Sequence, residues 1–344
     1  MSIGVDKALE RVSAGTELSG DEMRDVIRSV MEGDASPDVV ADLLTALHTR
    51  GETTAEIAGA AQAMRDLVVE LPHAPAGAID TAGTGGDDSG TFNISTLAAI
   101  VAAGAGAIVA KHGNRAATSQ CGSAEVLESL GVRIDIPPLR AAQAVHEVGI
   151  GFLYARACHP AMAAVAPIRA ALAIPTIFNR LGPLTNPMFV TRQLVGVGRA
   201  NMIEGALQAL AILGSDRVWV VHSEDGLDEI STAAPTRVAT LENRATREFV
   251  IDPSEFVAPA RIEDLKGGDA QRNAEIARSV LAGKPGPHRD VVLLNAAAAL
   301  CVASDDDDIS AGVQRAANSI DSGAAAETLE RWVSFTGSAA QESR

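Results

Sequence analysis

Two glycine-rich turns place the strongest constraint on how this chain folds. The first has the sequence DTAGTGGD over residues 80–87, and the second has KHGNR over residues 111–115. Each follows a short apolar run that predicts a strand and precedes a run that predicts a helix. Backbone N–H groups are unpaired at such a helix start, and glycine lets an anion approach them without a Cβ in the way. The two turns therefore predict two halves of one phosphate-binding pocket, in which Lys111 and Arg115 supply positive charge.

Neither turn identifies a nucleotide-binding fold by itself. Glycine-rich turns between a strand and a helix are common in α/β proteins, and many of them bind nothing. The first turn lacks the third glycine of a dinucleotide fingerprint, because Asp88 stands where that glycine belongs. It also lacks the Gly-Lys-Ser/Thr ending of a Walker loop. The presence of two such turns together is what favours a phosphate site.

The pattern of apolar residues divides the chain into two regions. Residues 3–70 show helical periodicity without strand alternation, which predicts a small all-helical domain at residues 1–72. A proline-rich linker follows. Over residues 76–344, strand-like runs alternate with helical runs, and this predicts a large α/β domain with a central, mainly parallel sheet flanked by helices. Ligands of such sheets bind at the carboxyl ends of the strands, where both turns fall.

Several elements of the large domain are predicted individually. Residues 132–136 are expected to form a strand, and residues 160–172 to form one helix. Residues 237–251 alternate like a hairpin with its tip near Glu242. The last predicted helix is followed by a polar tail after Thr336.

Composition argues against several classes of function. The formal net charge of −16 argues against nucleic acid as the main partner, because binding it requires a basic surface. The longest apolar run, residues 97–110, is shorter than the ~20 residues that span a bilayer, so no membrane segment is expected, and no leader is expected at Met1. The three cysteines have neither metal-ligand spacing nor an even number for disulfides. A reducing cytoplasm fits these features.

An acidic loop, DGLDE at residues 225–229, follows an apolar run that predicts a strand. Mg²⁺ commonly takes one or two carboxylate ligands of this kind, while water and substrate phosphate complete its shell. A solvated acidic turn is the plainer interpretation of the loop alone. Two phosphate-binding turns elsewhere in the chain would require charge neutralisation, which favours the metal interpretation.

Few other residues offer acid–base or nucleophilic chemistry. Arg169 lies among apolar neighbours on a predicted helix, where it is either a surface residue with a packed stem or a ligand for a carboxylate. His112 and His222 are structural by default, and the proline-rich stretch 180–187 is a connector by its spacing. We find no nucleophile with an adjacent base. Such a pocket suits displacement of a pyrophosphate leaving group by positioning and charge stabilisation.

Eight stretches of sequence, taken in order, indicate a family. Over essentially its whole length the chain resembles anthranilate phosphoribosyltransferase of tryptophan biosynthesis. The matching stretches are GTGGD at 83–87, FNIST at 92–96, KHGNR at 111–115, GSAEVLE at 122–128, HPAM at 159–162, PIR at 167–169, IFNRLGPLTNP at 177–187 and DGLDE at 225–229. Their combined order makes the resemblance specific.

The resemblance implies transfer of a phosphoribosyl group from phosphoribosyl pyrophosphate to the amine of anthranilate, with release of pyrophosphate. The residues that it implies for the donor site are Gly83, Gly86, Asp87, Thr91, Asn93, Ile94, Ser95, Thr96, Lys111, His112, Gly113, Asn114, Arg115, Ala116, Ala117, Thr118, Ser119 and Ser123. It implies that Ser95, Asp228 and Glu229 hold Mg²⁺, with two ions expected. Anthranilate would be contacted by Gly83, Asn114 and Arg169, with His112 nearby.

The resemblance also implies a homodimer joined through the helical domain. A later segment of the chain, near residues 160–190, would also belong to that domain. The fold as a whole would be the one shared with pyrimidine nucleoside phosphorylases. The departures from the family pattern are at Gln120-Cys121, at residues 156–158 and at Ala163. They are expected to affect the entry of anthranilate and to leave the donor and metal residues intact.

Two other interpretations remain at this point. A pyrimidine nucleoside phosphorylase would have a similar fold, but the lysine-histidine-serine phosphate motif of that family is absent from this sequence. A non-catalytic relative that binds nucleic acid would be expected to have lost the carboxylates of Asp228 and Glu229 and to have gained a basic groove. The carboxylates are present and the chain is acidic, so the transferase is favoured.

Overall fold

The computed structural model describes residues 3–87, 89–116 and 120–342. The first region is a bundle of four helices: α1 (Val5–Ser13), α2 (Gly20–Glu32), α3 (Pro37–Arg50) and α4 (Thr54–Asp66). The helical character predicted for residues 3–70 is confirmed.

Local capping sets where two of these helices begin. The Ser19 hydroxyl accepts from the backbone N–H of Glu22, and the Glu22 carboxylate accepts from the backbone N–H of Ser19. Thr53 and Glu56 form the same reciprocal pair at the start of α4. Each pair satisfies N–H groups that a helix start leaves unpaired, so these boundaries are encoded by neighbouring residues.

The rest of the described chain forms a seven-stranded sheet flanked by helices. The strands are β1 (Ile79–Asp80), β2 (Val109–Gly113), β3 (Ile150–Tyr154), β4 (Arg192–Gly196), β5 (Arg217–Ser223), β6 (Thr236–Glu242) and β7 (Ala245–Ile251). The helices are α5 (Ile94–Gly104), α6 (Ser123–Ser129), α7 (Pro138–Glu147), α8 (Ala155–Cys158), α9 (Ala166–Leu172), α10 (Phe178–Leu181), α11 (Ile203–Ile212), α12 (Ala270–Leu281), α13 (Pro287–Ala303), α14 (Ile309–Asp321) and α15 (Ala324–Glu342). Within the described ranges, no helix combines the length and the apolar character needed to cross a membrane.

The strand order is β3-β2-β1-β4-β5-β6-β7, and it changes direction at β1. Strands β1 to β5 pair in parallel, whereas β6 is antiparallel to both β5 and β7. The α/β fold with a mainly parallel sheet and the predicted hairpin are therefore confirmed. In sheets of this kind a crevice opens where the strand order reverses, at the carboxyl ends of the strands. Here that point lies between β1 and β4, and the first glycine-rich turn follows β1.

Side chains of β5 alternate between two apolar cores. Trp219 and Val221 pack in the core that contains α5 and α13. Val218 and Val220 belong to the core that contains α11 and the four-helix bundle. In addition, Arg65 of α4 is buried and donates to the carbonyl groups of Leu184 (2.8 Å) and Leu213 (3.2 Å). The bundle and one face of the sheet therefore share a core.

The chain between β3 and β4 also packs on the bundle. Val165, Ile177, Phe178 and Leu181 lie in the apolar core of the bundle helices. The short 3₁₀ helix at Pro160–Ala164 contacts α2, while α9 contacts α3 and α10 contacts α4. The boundaries of a separate helical domain, with a returning segment near residues 160–190, stay a prediction.

The strand predicted at residues 132–136 is wrong. The N–H of Val132 bonds the Leu127 carbonyl (2.9 Å) and closes α6. The N–H of Arg133 donates to the Thr336 hydroxyl of α15 (3.1 Å). Backbone groups of this segment thus find partners on two helices, and no neighbouring strand pairs with it in the described part of the sheet.

The single helix predicted at residues 160–172 is also wrong, because it divides into the 3₁₀ helix and α9. Pro167 explains the break. In an uninterrupted helix its missing N–H would leave the Ala163 carbonyl without a partner, and its ring would clash with that carbonyl.

The polar tail predicted after Thr336 is replaced by helix, because α15 continues to Glu342. Arg140 of α7 explains why the helix continues. Its guanidinium lies 3.6 Å from the centre of the Phe335 ring and donates to the Ser338 hydroxyl (3.1 Å). This packing against α7 stabilises the last turns of α15.

Candidate active site

The first glycine-rich turn is fixed between β1 and the end of β4. The N–H of Thr84 bonds the Gly196 carbonyl (2.9 Å), and the Thr84 hydroxyl accepts from the N–H of Gly198 (3.3 Å). Gly85 and Gly86 have φ angles of +64° and +80°, in the left-handed region that glycine adopts readily. The turn therefore lies across the crevice where the strand order reverses.

The acidic loop reaches both this turn and the start of α5. Asp228 Oδ2 accepts from the N–H of Gly85 (3.0 Å), and Glu229 Oε1 accepts from the N–H of Ser95 (3.2 Å). Burial raises the pKa of both carboxyl groups, and the negative charge of Asp87 raises both further. Asp228 and Glu229 are thus not the solvated turn that the loop sequence alone favours. They form an oxygen-rich, desolvated set that a bound cation would stabilise.

Lys111 lies on β2 rather than in the second turn, and its side chain is buried. Nζ donates to the Thr81 carbonyl (3.0 Å), the Thr81 hydroxyl (3.2 Å) and the Ser95 hydroxyl (3.4 Å). Burial lowers the pKa of Lys111, whereas the charges of Asp80 and Glu229 oppose that shift. Lys111 therefore compensates negative charge beneath the first turn, where the sequence had predicted a charge on the second.

The second turn is held by two glutamates of α6. The Arg115 guanidinium forms two bonds to the Glu128 carboxylate (2.8 and 2.7 Å). Glu125 accepts from the N–H groups of Ala116 (3.3 Å) and Gly122 (3.1 Å). Arg115 must therefore leave or share Glu128 to contact an anion. The predicted donor residues Ala117, Thr118 and Ser119 lie outside the described residues.

Asn93 connects the start of α5 to the segment that follows the second turn. Its Nδ2 donates to the Cys121 carbonyl after the second turn (3.1 Å), and its Oδ1 accepts from Asn273 of α12 (2.9 Å). Of the predicted donor residues beside it, Ile94 packs in the apolar core and so offers only backbone groups, and Thr96 is buried as well. The structure therefore brings both turns to the same edge of the sheet.

His112 connects β2 to the proline-rich stretch 180–187. Its Nδ1 lies 3.0 Å from the Gly182 carbonyl and so carries a proton, since a carbonyl can only accept. The ring centres of His112 and His159 are 5.2 Å apart. Burial lowers the pKa of His112 to about 4 and that of His159 to about 3, so both rings are neutral at pH 7. The proline-rich stretch is thus more than a connector.

Arg169 of α9 is half-buried and forms no ion pair within the described ranges. Its guanidinium donates to Asn179 Oδ1 (3.3 Å) and lies 5.6 Å from the centre of the Phe178 ring. Burial lowers the pKa of Arg169. A desolvated guanidinium without a counter-charge is suited to a carboxylate on a ligand. The other predicted acceptor residues, Gly83 and Asn114, lie on the two turns.

Comparison with known proteins agrees with this geometry. The helical bundle domain of a glycosyl transferase family matches residues 6–68, and the α/β domain of the glycosyl transferase family matches residues 76–326. The chain is 50% identical over 329 residues to anthranilate phosphoribosyltransferase from Rubrobacter xylanophilus, which covers 95% of this chain and 96% of that relative. The same enzyme from Rhodopseudomonas palustris is also 50% identical over 329 residues, covering 95% of this chain and 97% of its own.

The chain belongs to the anthranilate phosphoribosyltransferase family.

Solved structures agree. Anthranilate phosphoribosyltransferase from Thermus thermophilus matches with a TM-score of 0.90 and 42% identity, covering 96% of this chain and 99% of that one. The Saccharomyces cerevisiae enzyme, in complex with PRPP and Mg, matches with a TM-score of 0.88 and 29% identity, covering 97% and 98%. The predicted family is therefore confirmed, and the phosphorylase and nucleic-acid-binding alternatives are set aside.

Two glycines of this site were not identified from the sequence. A Cβ on Gly196 would lie 1.7 Å from the Asp228 carbonyl oxygen, and one on Gly198 would lie 2.9 Å from the Gly85 carbonyl oxygen. Both positions therefore let β4, the acidic loop and the first turn approach closely. Their place at the end of a predicted strand was the feature of the sequence that could have indicated such a close approach.

The buried His159 gives this protein a predictable pH dependence of stability. Burial lowers its pKa from 6.5 to about 3, so between these values only the unfolded state binds the proton. The contribution of neutral His159 to the free energy of unfolding is therefore fully present above pH 6.5 and is lost as the pH falls. Between pH 7 and pH 5 this loss lowers the free energy of unfolding by about 2 kcal/mol. Urea titrations at pH 7 and pH 5 should show a smaller decrease in the free energy of unfolding for His159→Asn than for wild type.

His146→Asn is the matched control, because His146 is exposed, and it should show the same decrease as wild type. If His159→Asn also showed the wild-type decrease, the prediction would be contradicted.

Proposed function

We propose that this chain transfers the phosphoribosyl group of phosphoribosyl pyrophosphate to the amine of anthranilate, giving N-(5-phosphoribosyl)anthranilate and pyrophosphate in tryptophan biosynthesis. The observation that carries the proposal is the convergence of Asp228 and Glu229 on the first turn and the start of α5. Backbone N–H donors and carboxylate oxygens stand side by side there, as a metal-bound pyrophosphate requires. The similar S. cerevisiae enzyme has been solved with PRPP and Mg.

The proposed donor site consists of the two turns. The N–H groups of Gly85 and Ser95 lie beside the acidic pair, to which they donate. Arg115 would supply positive charge once it leaves Glu128. The residues proposed to line this site are Gly83, Gly86, Asp87, Thr91, Asn93, Ile94, Ser95, Thr96, Lys111, His112, Gly113, Asn114, Arg115, Ala116, Ala117, Thr118, Ser119 and Ser123. Helix N-termini and glycine turns bind phosphate oxygens in this way.

Magnesium is proposed as the cofactor, with two ions, held by Ser95, Asp228 and Glu229. In the described residues, no three His, Cys, Asp or Glu side chains group to hold a metal. The protein would thus supply part of each coordination shell, and the phosphate oxygens the rest, which is usual for Mg²⁺. When bound, Mg²⁺ would neutralise negative charge on the pyrophosphate leaving group.

The acceptor side is proposed to contain Gly83, Asn114, Arg169 and His112. The Arg169 guanidinium would pair with the anthranilate carboxylate and so orient the amine toward the sugar carbon. His112 is neutral, and its Nε2, which has no partner among the described residues, can accept a hydrogen bond. No residue is proposed as a nucleophile or a general base, because an aryl amine attacks as the free base and the site acts by positioning and electrostatics.

A fluorescence assay tests the proposed activity directly. The purified chain should remove anthranilate fluorescence only when phosphoribosyl pyrophosphate and Mg²⁺ are both present. Pyrophosphate should appear in equal amount. Phosphorolysis of a pyrimidine nucleoside without consumption of anthranilate would contradict the proposal.

Replacing Arg169 with alanine should mainly affect the acceptor. We expect the KM for anthranilate to rise about tenfold or more, because a charge-assisted bidentate pair is lost, while the KM for phosphoribosyl pyrophosphate stays within about twofold. Steady-state kinetics with each substrate varied would measure both values. Arg133→Ala, which removes an exposed arginine paired with Asp135, should change neither KM. Equal rises in both KM values for Arg169→Ala would count against the assignment.

We further propose that the chain acts as a cytoplasmic homodimer joined through a helical domain. That domain would comprise residues 1–72 with the segment near 160–190, beside a large domain at residues 76–344. The packing of α9 and α10 on α3 and α4 supports this division. Light scattering would test it by giving twice the chain mass, and a monomer at micromolar concentration would contradict it.

A further inference from the structure

Asp80, the last residue of β1, joins two distant parts of the chain. It is fully buried, with 0% of its surface exposed. Oδ1 accepts from the backbone N–H of His112 on β2 (3.0 Å), and Oδ2 accepts from Asn186 Nδ2 (2.8 Å). The partners are separated from Asp80 by 32 and 106 residues, respectively.

The Asn186 side chain is itself held in one orientation. Its Nδ2 also donates to the Ala110 carbonyl of β2 (2.8 Å), and its Oδ1 accepts from the N–H of Met188 (3.0 Å). Exchanging its oxygen and nitrogen would break these bonds. The Asp80–Asn186 contact therefore has a defined donor and a defined acceptor, and it fixes the end of the proline-rich stretch 180–187 against β1 and β2.

The three segments that meet at Asp80 lead into both sides of the proposed site. Asp80 is the first residue of the first turn (residues 80–87), and the second turn continues from His112 on β2. The proline-rich stretch carries Gly182, which bonds the His112 ring, and it follows Asn179, which bonds Arg169. Donor-side and acceptor-side groups are thus connected through one carboxylate.

The choice of a carboxylate at this position has a physical reason. Two donors point at Asp80, and an ionised carboxylate offers two acceptor oxygens, whereas an amide of the same shape offers one. Its negative charge also faces the buried ammonium group of Lys111, whose attraction lowers the pKa of Asp80 against the larger effect of burial. A neutral side chain would leave one donor without a partner and Lys111 with less compensation.

We propose that Asp80 is a positioning residue that fixes the separation between the two phosphate turns and the acceptor-side stretch 180–187. This inference rests on the proposed function for the identity of the two substrates. Asp80 touches neither substrate and acts through His112 and Asn186.

Two single variants test this role. Asp80→Asn places an amide N–H₂ group against one of the two donors that point at this position. Asn186→Asp places two carboxylates together and sets a carboxylate oxygen against the Ala110 carbonyl. Ser319→Ala is the control, because it removes a buried hydroxyl that donates to the Val101 carbonyl in another layer (2.9 Å). If Asp80→Asn is insoluble, Asn186→Ala removes the same bond from the other side and must meet the same expectation.

Steady-state kinetics and amide hydrogen exchange of these variants test the role of Asp80. We expect each variant of Asp80 or Asn186 to raise the KM for both substrates about tenfold, because an unpaired buried polar group at this junction displaces the turns and the stretch 180–187 that it joins. Ser319→Ala should lower the melting temperature and leave both KM values unchanged. Amide exchange over residues 81–86 and 112–116 should be faster in Asp80→Asn than in Ser319→Ala, a comparison that does not require turnover. Wild-type KM values or unchanged exchange in Asp80→Asn would overturn the role of Asp80. An inactive wild type would overturn only the proposed function.

Discussion

The double variant Asp228→Asn/Glu229→Gln should lose activity and keep its fold. We expect kcat/KM to fall by about 10³-fold or more, because charge stabilisation of a leaving group is commonly the largest catalytic contribution. Burial raises the pKa of both carboxyl groups, so their ionisation costs stability at neutral pH. Neutral amides of the same shape remove that cost, and the melting temperature should stay the same or rise.

Matched measurements separate this outcome from misfolding. Glu224→Gln changes an exposed carboxylate directly before the acidic loop and should retain wild-type turnover at saturating Mg²⁺. Thermal denaturation and the anthranilate fluorescence assay would be performed on all three proteins. Turnover of the double variant within about tenfold of wild type would refute the role of the acidic pair.

Gly196→Ala should produce the second large effect, through sterics rather than charge. Its new Cβ would lie 1.7 Å from the Asp228 carbonyl oxygen, so the backbone of the acidic loop must move. A displacement of about 1 Å at a reacting centre costs about 100-fold in rate, and we expect kcat/KM to fall by at least that factor. Stability should also fall, by roughly 1–3 kcal/mol for overpacking.

Gly205 on α11 provides a matched control for this substitution. A Cβ there would meet no atom within 4 Å, so Gly205→Ala should leave activity unchanged and slightly stabilise the helix. Steady-state kinetics and urea denaturation on both variants measure the contrast. If Gly196→Ala retained wild-type turnover, the close approach of β4 and the acidic loop would have no functional importance.

Local rules account for what the sequence could predict. The capping pairs at Ser19 and Thr53 each lie within three residues, and the first glycine turn sits directly between β1 and α5. The alternation of residues 237–251 predicts the hairpin for the same reason. The phosphate turns and the acidic loop could be identified because each carries its chemistry in a few adjacent residues.

The features that the sequence did not predict depend on contacts between residues that are far apart in the chain. Lys111 was predicted to be an available charge on the second turn, but the parallel register of β2 with β1 carries its side chain under the first turn. The segment 132–136 has the composition of a strand, and yet α6 and α15 satisfy its backbone. Gly196 matters only because the acidic loop, which is distant from it in the sequence, crosses it. Contacts of this kind join residues far apart in the sequence, so the local sequence does not identify the partner.

The core shared by the four-helix bundle and β5 affects how the protein unfolds. α11 lies between α4 and the strands β5 and β6, and buried Arg65 bonds carbonyl groups well outside the bundle. A fragment cut after residue 72 would expose the apolar surface of α4 to water and leave that guanidinium without its acceptors. Heating the intact chain should therefore melt bundle and sheet together in one calorimetric peak, and the isolated fragment should aggregate instead of folding.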